Sequence, residues 1–221
     1  MSDFYEMREA VRNIHRLPVD QEILTRGQCS QEDQAIHEAV QRYSLRRPLA
    51  ASVILTLDSG RAPLSFIVGW GDDYQANDVY SDGYRLPPEA WAVVPGEGGP
   101  VLHIPAARGA TVQFFFAKPH SLTENSSTIP AIDFMAVAHL AASLVLMQMA
   151  NLYAQKKQAS IDAAAVDFGR LSGEYFLRAR DESNLYEEHM KSRNQYKSAR
   201  VNWNSRARHG LGRMFQDGPY Q

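Results

Sequence analysis

The sequence predicts an α+β fold, in which a four-helix-type bundle carries an inserted small antiparallel β-domain and an extended C-terminal arm. Apolar residues recur at helical spacing near the start of the chain and again in its second half. Between these regions, short β-prone runs alternate with turn-forming residues, and no clear period follows Ser192. These patterns predict a discontinuous helical domain, a β-domain and an arm, at residues 1–48 with 118–191, 49–117 and 192–221.

Two amphipathic helices are predicted before the β-domain. The first covers residues 4–16, with an apolar side formed by Met7, Ala10, Val11 and Ile14. The second follows a capping box in which Ser30 precedes Asp33, and it ends before Arg47-Pro48, because a residue before proline disfavours helix. Its buried side is predicted to consist of Ile36, Ala39, Val40 and Tyr43.

Six β-prone runs predict a small antiparallel sheet, sandwich or barrel. They cover residues 52–57, 64–68, 80–86, 91–94, 101–104 and 111–116. Gly96-Glu97-Gly98-Gly99 lacks the full dinucleotide-binding pattern and lies between two of these runs, so we interpret it as a hairpin loop.

The third helix is predicted to begin at Pro130, which suits a first helical position, and it is apolar on every side up to Tyr153, which predicts that it is covered all round. Although about 20 residues suffice to span a bilayer, Asp133, His139 and Gln148 interrupt the run, so we expect a core helix and no membrane insertion. His139 is expected to be a hydrogen-bonded core residue. The predicted core positions are Phe134, Val137, Leu140, Ala141, Leu144, Val145 and Met149.

A hinge at residues 154–160 is predicted to lead into the last helix. That helix has one side marked by Phe168, Leu171, Tyr175, Ala179, Glu182, Tyr186 and His189. On its solvent side, the i,i+4 spacing predicts the ion pairs Glu174–Arg178 and Glu187–Lys191.

No residue pattern predicts an enzyme, a cofactor or a metal site. Cys29 is the only cysteine, which excludes an intrachain disulfide and a multi-cysteine zinc site. The histidines are dispersed, and no Ser–His–Asp set can be assigned. One acidic loop could offer oxygen ligands to a divalent cation but lacks the calcium-loop spacing, so we interpret it as solvated. Its residues are Asp72, Asp73, Asn77, Asp78 and Asp82.

The C-terminal arm is basic although the whole chain has a net charge of -2. Between Lys191 and Gln221 the only acidic residue is Asp217. Aromatic residues and methionine alternate there with basic and amide residues, which favours anchoring in a groove of a partner protein. Phosphate contact and plain disorder are the competing interpretations.

Several segments, in this order along the chain, resemble the head–tail connector (adaptor) proteins of tailed bacteriophages. They include Ala35-Ile36-His37-Glu38-Ala39, Gly83-Tyr84-Arg85-Leu86-Pro87, Ser127-Thr128-Ile129-Pro130, Ala136-Val137-Ala138-His139-Leu140 and Tyr186-Glu187-Glu188-His189.

The resemblance implies a helical bundle with an inserted β-domain that assembles as a ring, usually of twelve copies, beneath the portal. Such a ring joins the capsid vertex to a stopper or tail protein and surrounds the passage for genomic DNA, without catalysis or cofactor. The protein would be made in the bacterial host cytoplasm and reside in the virion neck.

By the same resemblance, the arm would contact the portal. The assigned residues are Lys191, Arg193, Tyr196, Lys197, Arg200, Trp203, Arg206, Arg208, Arg213, Met214, Phe215 and Tyr220. Two alternatives stay open. One is another neck or tail ring protein, such as a stopper or tail-completion protein. The other is a nucleic-acid-binding protein that uses the basic tail.

Overall fold

The computed structural model of the chain describes residues 3–16, 31–67, 70, 74–105, 111–159 and 168–214; of these, residues 156–159, 168 and 193–214 are described by their backbone alone. The chain divides into two compact units. The β unit comprises Met1–Phe4 and Val40–Pro130, and the helical unit comprises Tyr5–Ala39 and Ala131–Gln221. These divisions differ from the predicted domain ends at residues 48 and 118, because the end of the second helix and the segment before Pro130 group with the sheets.

The first two helices lie where the apolar spacing predicts them. Helix α1 covers Phe4–His15 and α2 covers Gln31–Arg46. The predicted Ser30 cap lies outside the described residues, and Asp33 forms an ion pair with Arg8. The buried hydrophobic residues of these helices are Met7, Val11, Ala35, Ile36, Ala39, Val40 and Tyr43.

Two antiparallel sheets form the β unit, as predicted for an α+β fold. One has the strand order β1-β7-β3-β4 and the other β2-β6-β5. The strands are β1 Leu49–Thr56, β2 Arg61–Pro63, β3 Gln75–Ser81, β4 Tyr84–Arg85, β5 Ala92–Gly96, β6 Gly99–His103 and β7 Thr111–Lys118.

Strand β7 lies at the centre of the β unit's core. Val53 of β1 and Val79 of β3 both lie opposite Phe114, so their side chains share one face of the sheet. The indole of Trp70 contacts the rings of Phe114 and Phe116 at centroid distances of 5.7 and 5.5 Å. The fully or nearly buried members of this core are Leu55, Leu57, Ala62, Leu64, Val79, Leu102, Ile104, Val112, Phe114 and Phe116.

Two of the six predicted strands are wrong in detail. Residues 64–67 do not form a strand, because a 3₁₀ turn at Leu64–Phe66 follows Pro63 and buries Leu64, and residue 68 lies outside the described residues. The predicted run 80–86 is broken by a turn in which Asp82 and Gly83 have positive φ angles of 51° and 82°. Glycine tolerates this backbone conformation without strain, and β3 and β4 therefore pair as a hairpin.

The loop between Gly96 and Gly99 is a hairpin turn, as predicted. It joins β5 to β6, and Gly96 pairs with Gly99 across the ladder. A Cβ atom at Gly96 would lie 2.6 Å from Cγ2 of Val101, and Gly99 has a φ of 115°. Both positions therefore require glycine for packing or backbone reasons, which explains the glycine-rich sequence without a nucleotide.

The helical unit contains two long helices, α3 at Ala131–Ala159 and α4 at Phe168–Met214. The predicted hinge is wrong for residues 154–159, which continue α3, and residues 160–167 lie outside the described residues. The extended arm predicted after Ser192 is not confirmed, and the backbone up to Met214 continues helix α4. The segment 192–214 contains no proline to end the helix.

Helix α3 buries five of the seven predicted core side chains, whereas Phe134 and Leu144 are half-buried. The buried ones are Val137, Leu140, Ala141, Val145 and Met149. By length and composition, Ala131–Gln155 could cross a membrane, with a mean hydropathy of 1.6, but 61% of this window is buried. This burial favours the core-helix interpretation. The helix is not covered all round, because Ile132 and Met135 in its first turns are exposed.

Candidate interaction surface

Two histidine–carboxylate pairs join α3 to α4. Nε2 of His189 on α4 lies 2.7 Å from Oδ1 of Asp133 on α3, and Nδ1 of His139 on α3 lies 2.6 Å from Oε2 of Glu182 on α4. An ionised carboxylate only accepts hydrogen bonds, so each ring nitrogen donates. In one pair the histidine lies on α4 and the acid on α3, and in the other pair the histidine lies on α3 and the acid on α4. The prediction that His139 is a hydrogen-bonded core residue is confirmed for the hydrogen bond, but its side chain is 26% exposed.

Farther along the hairpin, α3 and α4 meet through a hydroxyl and two aromatic rings. Ser172 Oγ donates to the carbonyl oxygen of Ala150 at 2.8 Å. The rings of Tyr153 and Tyr175 stack nearly parallel, with centroids 5.5 Å apart. Burial and the neighbouring Tyr153 raise the pKa of Tyr175 above its ordinary value, so its hydroxyl stays neutral at physiological pH.

The predicted ion pair between Glu174 and Arg178 is replaced by other contacts. Glu174 Oε1 accepts a hydrogen bond of 3.0 Å from Nε of Arg170. Arg178 instead donates from Nη2 to the carbonyl oxygen of His15 at 2.7 Å. Because helix α1 ends at His15, this bond joins α4 to the C-terminal end of α1, where a cation is favourable.

A buried ionic cluster connects α1 to α2. The carboxylate of Glu32 contacts His15 Nε2 at 3.1 Å and Arg12 Nη2 at 3.0 Å, and both His15 and Glu32 are buried. Beside it, Arg8 and Asp33 form an ion pair of 2.7 Å. Burial alone would raise the pKa of Glu32, but the hydrogen bonds from His15 and Arg12 outweigh burial and hold that pKa below its ordinary value. The cluster therefore stabilises the ionised carboxylate.

In the β unit, His120 connects the segment after β7 to the end of α2. Its backbone N–H donates to Oγ of Ser44 at 2.9 Å, and its ring nitrogens lie 2.9 Å from the carbonyl oxygens of Thr128 and Arg47. The ring also contacts Tyr43, with centroids 5.0 Å apart. The bond from the backbone N–H to Ser44 satisfies a polar group that burial would otherwise leave without a partner.

A shallow groove of about 240 Å³ opens beside this junction. Its apolar part includes Leu45, whose side chain is 82% exposed. It is lined by Gln41, Ser44, Leu45, Pro48, Gln75 and Pro119. None of these six side chains is a nucleophile paired with a base.

Of the twelve residues assigned to the portal-contacting arm, Lys191 has a described and exposed side chain. The positions from Arg193 to Met214 lie on α4, while Phe215 and Tyr220 lie outside the described residues. The helical backbone gives this segment a period that the sequence analysis missed. Tyr196, Trp203 and Met214 are spaced by intervals close to two and three helical turns, which places these positions on one side of the helix.

The acidic loop is only partly described. Asp78 pairs with Arg85 across the β3–β4 hairpin, with Arg85 Nε donating to Asp78 Oδ1 at 2.7 Å. Asp72 and Asp73 lie outside the described residues. Within the described part of the chain, no group of three or more His, Cys, Asp or Glu side chains is placed to hold a metal ion.

No protein-family model matches the chain, and no curated protein matches it.

Proposed function

We propose that this protein is a structural neck component of a tailed bacteriophage, an adaptor that forms a ring beneath the portal. In this proposal the four helices form one bundle, and the ring joins the capsid vertex to a stopper or tail protein. The resemblance in sequence suggests the family, and the arrangement of helices and sheets supports it. Along the chain, two helices come first, the strands of two antiparallel sheets follow, and two long helices come last.

The observation that carries the proposal is the number of exposed apolar side chains on the α3–α4 hairpin. Large apolar side chains that are about half exposed or more lie on both helices, although single exposed apolar residues are common on any protein. Several on one hairpin fit the contact between neighbouring subunits of a ring, where one surface of a subunit meets a different surface of the next. They are Ile132, Met135, Phe176, Leu177 and Leu185.

The C-terminal part of α4 supports the proposed contact with the portal. Residues 192–214 continue the helix beyond the pair formed by Asp133 and His189, over a length of about 35 Å. One side of this segment carries the positions of Tyr196, Trp203 and Met214. Large aromatic residues and arginine are the residue types that contribute most to protein interfaces. An acidic, partly apolar surface on the portal would suit this segment.

Particle mass and electron-microscope projections of the full-length protein, mixed with the portal protein of the same virus, test this proposal. We expect an annulus of about twelve copies bound to the portal ring. A Leu185→Lys variant should reduce ring formation, because it places a charge in the proposed subunit contact. The exposed Thr123→Lys in the β unit serves as a matched control. A protein that stays unassembled with the portal would contradict the proposal.

A second candidate, nucleic-acid binding through the basic end of α4, is favoured by the excess of basic residues after Lys191. It predicts binding to duplex DNA that weakens by roughly one log unit per log unit of salt for each phosphate contacted. Portal binding that persists at high salt, without DNA affinity, would favour the adaptor.

A further inference from the structure

The side of α4 that packs against α3 follows a strict repeat. The residues on this side that contact α3 directly include Ser172, Tyr175, Glu182 and His189. Ala179 and Tyr186 belong to the same series and are buried. The steps along the series alternate between three and four residues, which is the repeat by which two helices pack along one another. We call this side of α4 the seam.

The seam continues past the end of α3. Helix α3 begins at Ala131, and Asp133, which contacts His189, lies in its first turn. Because the two helices run antiparallel, α3 does not extend along α4 beyond this level. The backbone of α4 continues to Met214, and the alternation of three- and four-residue steps continues with it. The further seam positions are Arg193, Tyr196, Arg200, Trp203, Ala207, Gly210 and Met214.

Positive charge is concentrated on the seam side of residues 193–214. In a seven-residue repeat, the positions next to the seam flank the contact between two helices. Of the six Lys and Arg residues in this segment, two occupy seam positions, three occupy flanking positions, and Arg208 occupies an outer position. The five on the seam side are Arg193, Lys197, Arg200, Arg206 and Arg213. The segment contains no Asp or Glu.

The repeat and the charges together indicate the chemistry of the partner. Pairing with the same segment of a second copy would bring like charges together, for example at Arg200, and this opposes association. Duplex DNA would attract the charges but does not require a seven-residue repeat with Tyr196 and Trp203 on its seam. A helix that carries carboxylates beside an apolar stripe satisfies both the repeat and the charges.

We propose that residues 193–214 bind an acidic amphipathic helix of a partner protein, which lies along the seam beyond the end of α3. Tyr196 and Trp203 pack against the apolar stripe of that helix, and the basic residues on the seam side form charge-assisted hydrogen bonds with its carboxylates. Ala207 and Gly210 allow the two backbones to approach closely. The inference deepens the proposed function, and it rests on that function for one point, that the portal supplies the acidic helix.

Fluorescence anisotropy of a labelled synthetic peptide, titrated with the full-length protein, tests the inference without the portal. The peptide is about three seven-residue repeats long, with Leu at its seam positions and Glu at its flanking positions. A second peptide has Lys in place of each Glu. We expect the acidic peptide to bind and the basic peptide not to bind. Binding of neither peptide, or equal binding of both, would overturn the inference.

Two matched variants locate the contact on the helix. Arg200→Glu and Arg208→Glu change the net charge equally, but the first lies on the seam and the second at an outer position. We expect Arg200→Glu to weaken binding of the acidic peptide about tenfold and Arg208→Glu to weaken it about twofold or less. Equal losses in the two variants would overturn the inference.

Duplex DNA, titrated in parallel, tests the other class of partner. Contacts with phosphates do not depend on a seam, so the two variants should lose DNA affinity by similar factors. Tighter binding of DNA than of the acidic peptide at the same salt concentration would overturn the inference.

The portal protein separates this inference from the proposed function. Peptide binding that depends on Arg200, in a protein that does not bind the portal, would support the inference and contradict the proposed function. If the portal binds the natural protein and both variants equally well, the adaptor function stands and the inference is overturned.

Discussion

His189 Nε2 donates a 2.7 Å hydrogen bond to Oδ1 of Asp133, whose side chain is 1% exposed in the first turn of α3. A carboxylate at this depth is stable only with hydrogen-bond donors around it, because burial disfavours the charged form. The histidine that supplies a donor lies on a different helix, so the bond stabilises the packing of α3 against α4.

Replacing this histidine tests that relationship. His189→Ala removes a donor from the buried carboxylate, and we expect the free energy of unfolding to fall by about 2 kcal/mol in urea denaturation. The matched test is a double-mutant cycle with Asp133→Asn. If the two single effects add to within about 0.5 kcal/mol, the two side chains do not interact as described.

The acid stability of the protein should depend on Glu32. The pKa of this carboxyl is lower in the folded chain than in the unfolded chain. Ionised Glu32 therefore stabilises the fold at pH values above its unfolded pKa of about 4.3, and this stabilisation is lost as the pH falls through the folded pKa.

Denaturation at a series of pH values measures this effect. We expect Glu32→Gln to lower stability at neutral pH and to flatten the loss of stability in acid. Glu9→Gln serves as the control, because the side chain of Glu9 is 45% exposed and contacts Arg12 only at 3.6 Å. An equal pH dependence for the Glu32→Gln variant and the natural protein would contradict the assigned role.

The hydroxyl of Ser44 should contribute to the stability of the β unit. It accepts the backbone N–H of His120 and donates to the carbonyl oxygen of Val40 at 2.7 Å, and Ser44 is buried. Ser44→Ala leaves that N–H without its acceptor, which should cost about 1–2 kcal/mol in thermal or urea denaturation. Ser59→Ala, at an exposed position, should change the free energy of unfolding by less than about 0.5 kcal/mol. Equal losses of stability for Ser44→Ala and Ser59→Ala would contradict the role of Ser44.

Core packing along α3 gives a further prediction. Leu140→Ala, at a buried position, should lower the free energy of unfolding by about 3 kcal/mol through lost burial and cavity formation. Ile132→Ala, at a position that is 63% exposed, should cost about 0.5 kcal/mol or less in the same urea experiment. Equal losses in the free energy of unfolding at both positions would contradict the description of Leu140 as buried and Ile132 as exposed.

Sequence periodicity located the helices and most strands because burial on one side leaves a repeating apolar pattern. The apolar spacing of residues 36–43 predicted the buried side of α2, and the turn at Gly96–Gly99 followed from its glycines and its position between two β-prone runs. The three-residue β2 was missed because it is too short to show alternation and contains Pro63. Residues 64–68 were predicted to form a strand, but residues Leu64–Phe66 form a 3₁₀ turn after Pro63.

The polar contacts could be predicted only in part. Glu182 and His189 were assigned to the same side of the last helix, but nothing in the sequence identified His139 and Asp133 as their partners across the hairpin. The cluster around Glu32 was missed for the same reason, since burial of a charge depends on which elements pack together. No helical repeat was recognised after Ser192, because few apolar residues occur there. The residue types of this segment are nevertheless compatible with a helix.

The two histidine–carboxylate pairs restrict how α3 and α4 can align along their axes. They are separated by roughly 10 Å along α4, so sliding one helix by a single turn would strip both acids of their imidazole donors at the same moment. Aliphatic contacts alone tolerate such slippage, whereas paired ionisable groups reject it. The hairpin thereby has one preferred alignment, and that alignment determines where the C-terminal half of α4 emerges.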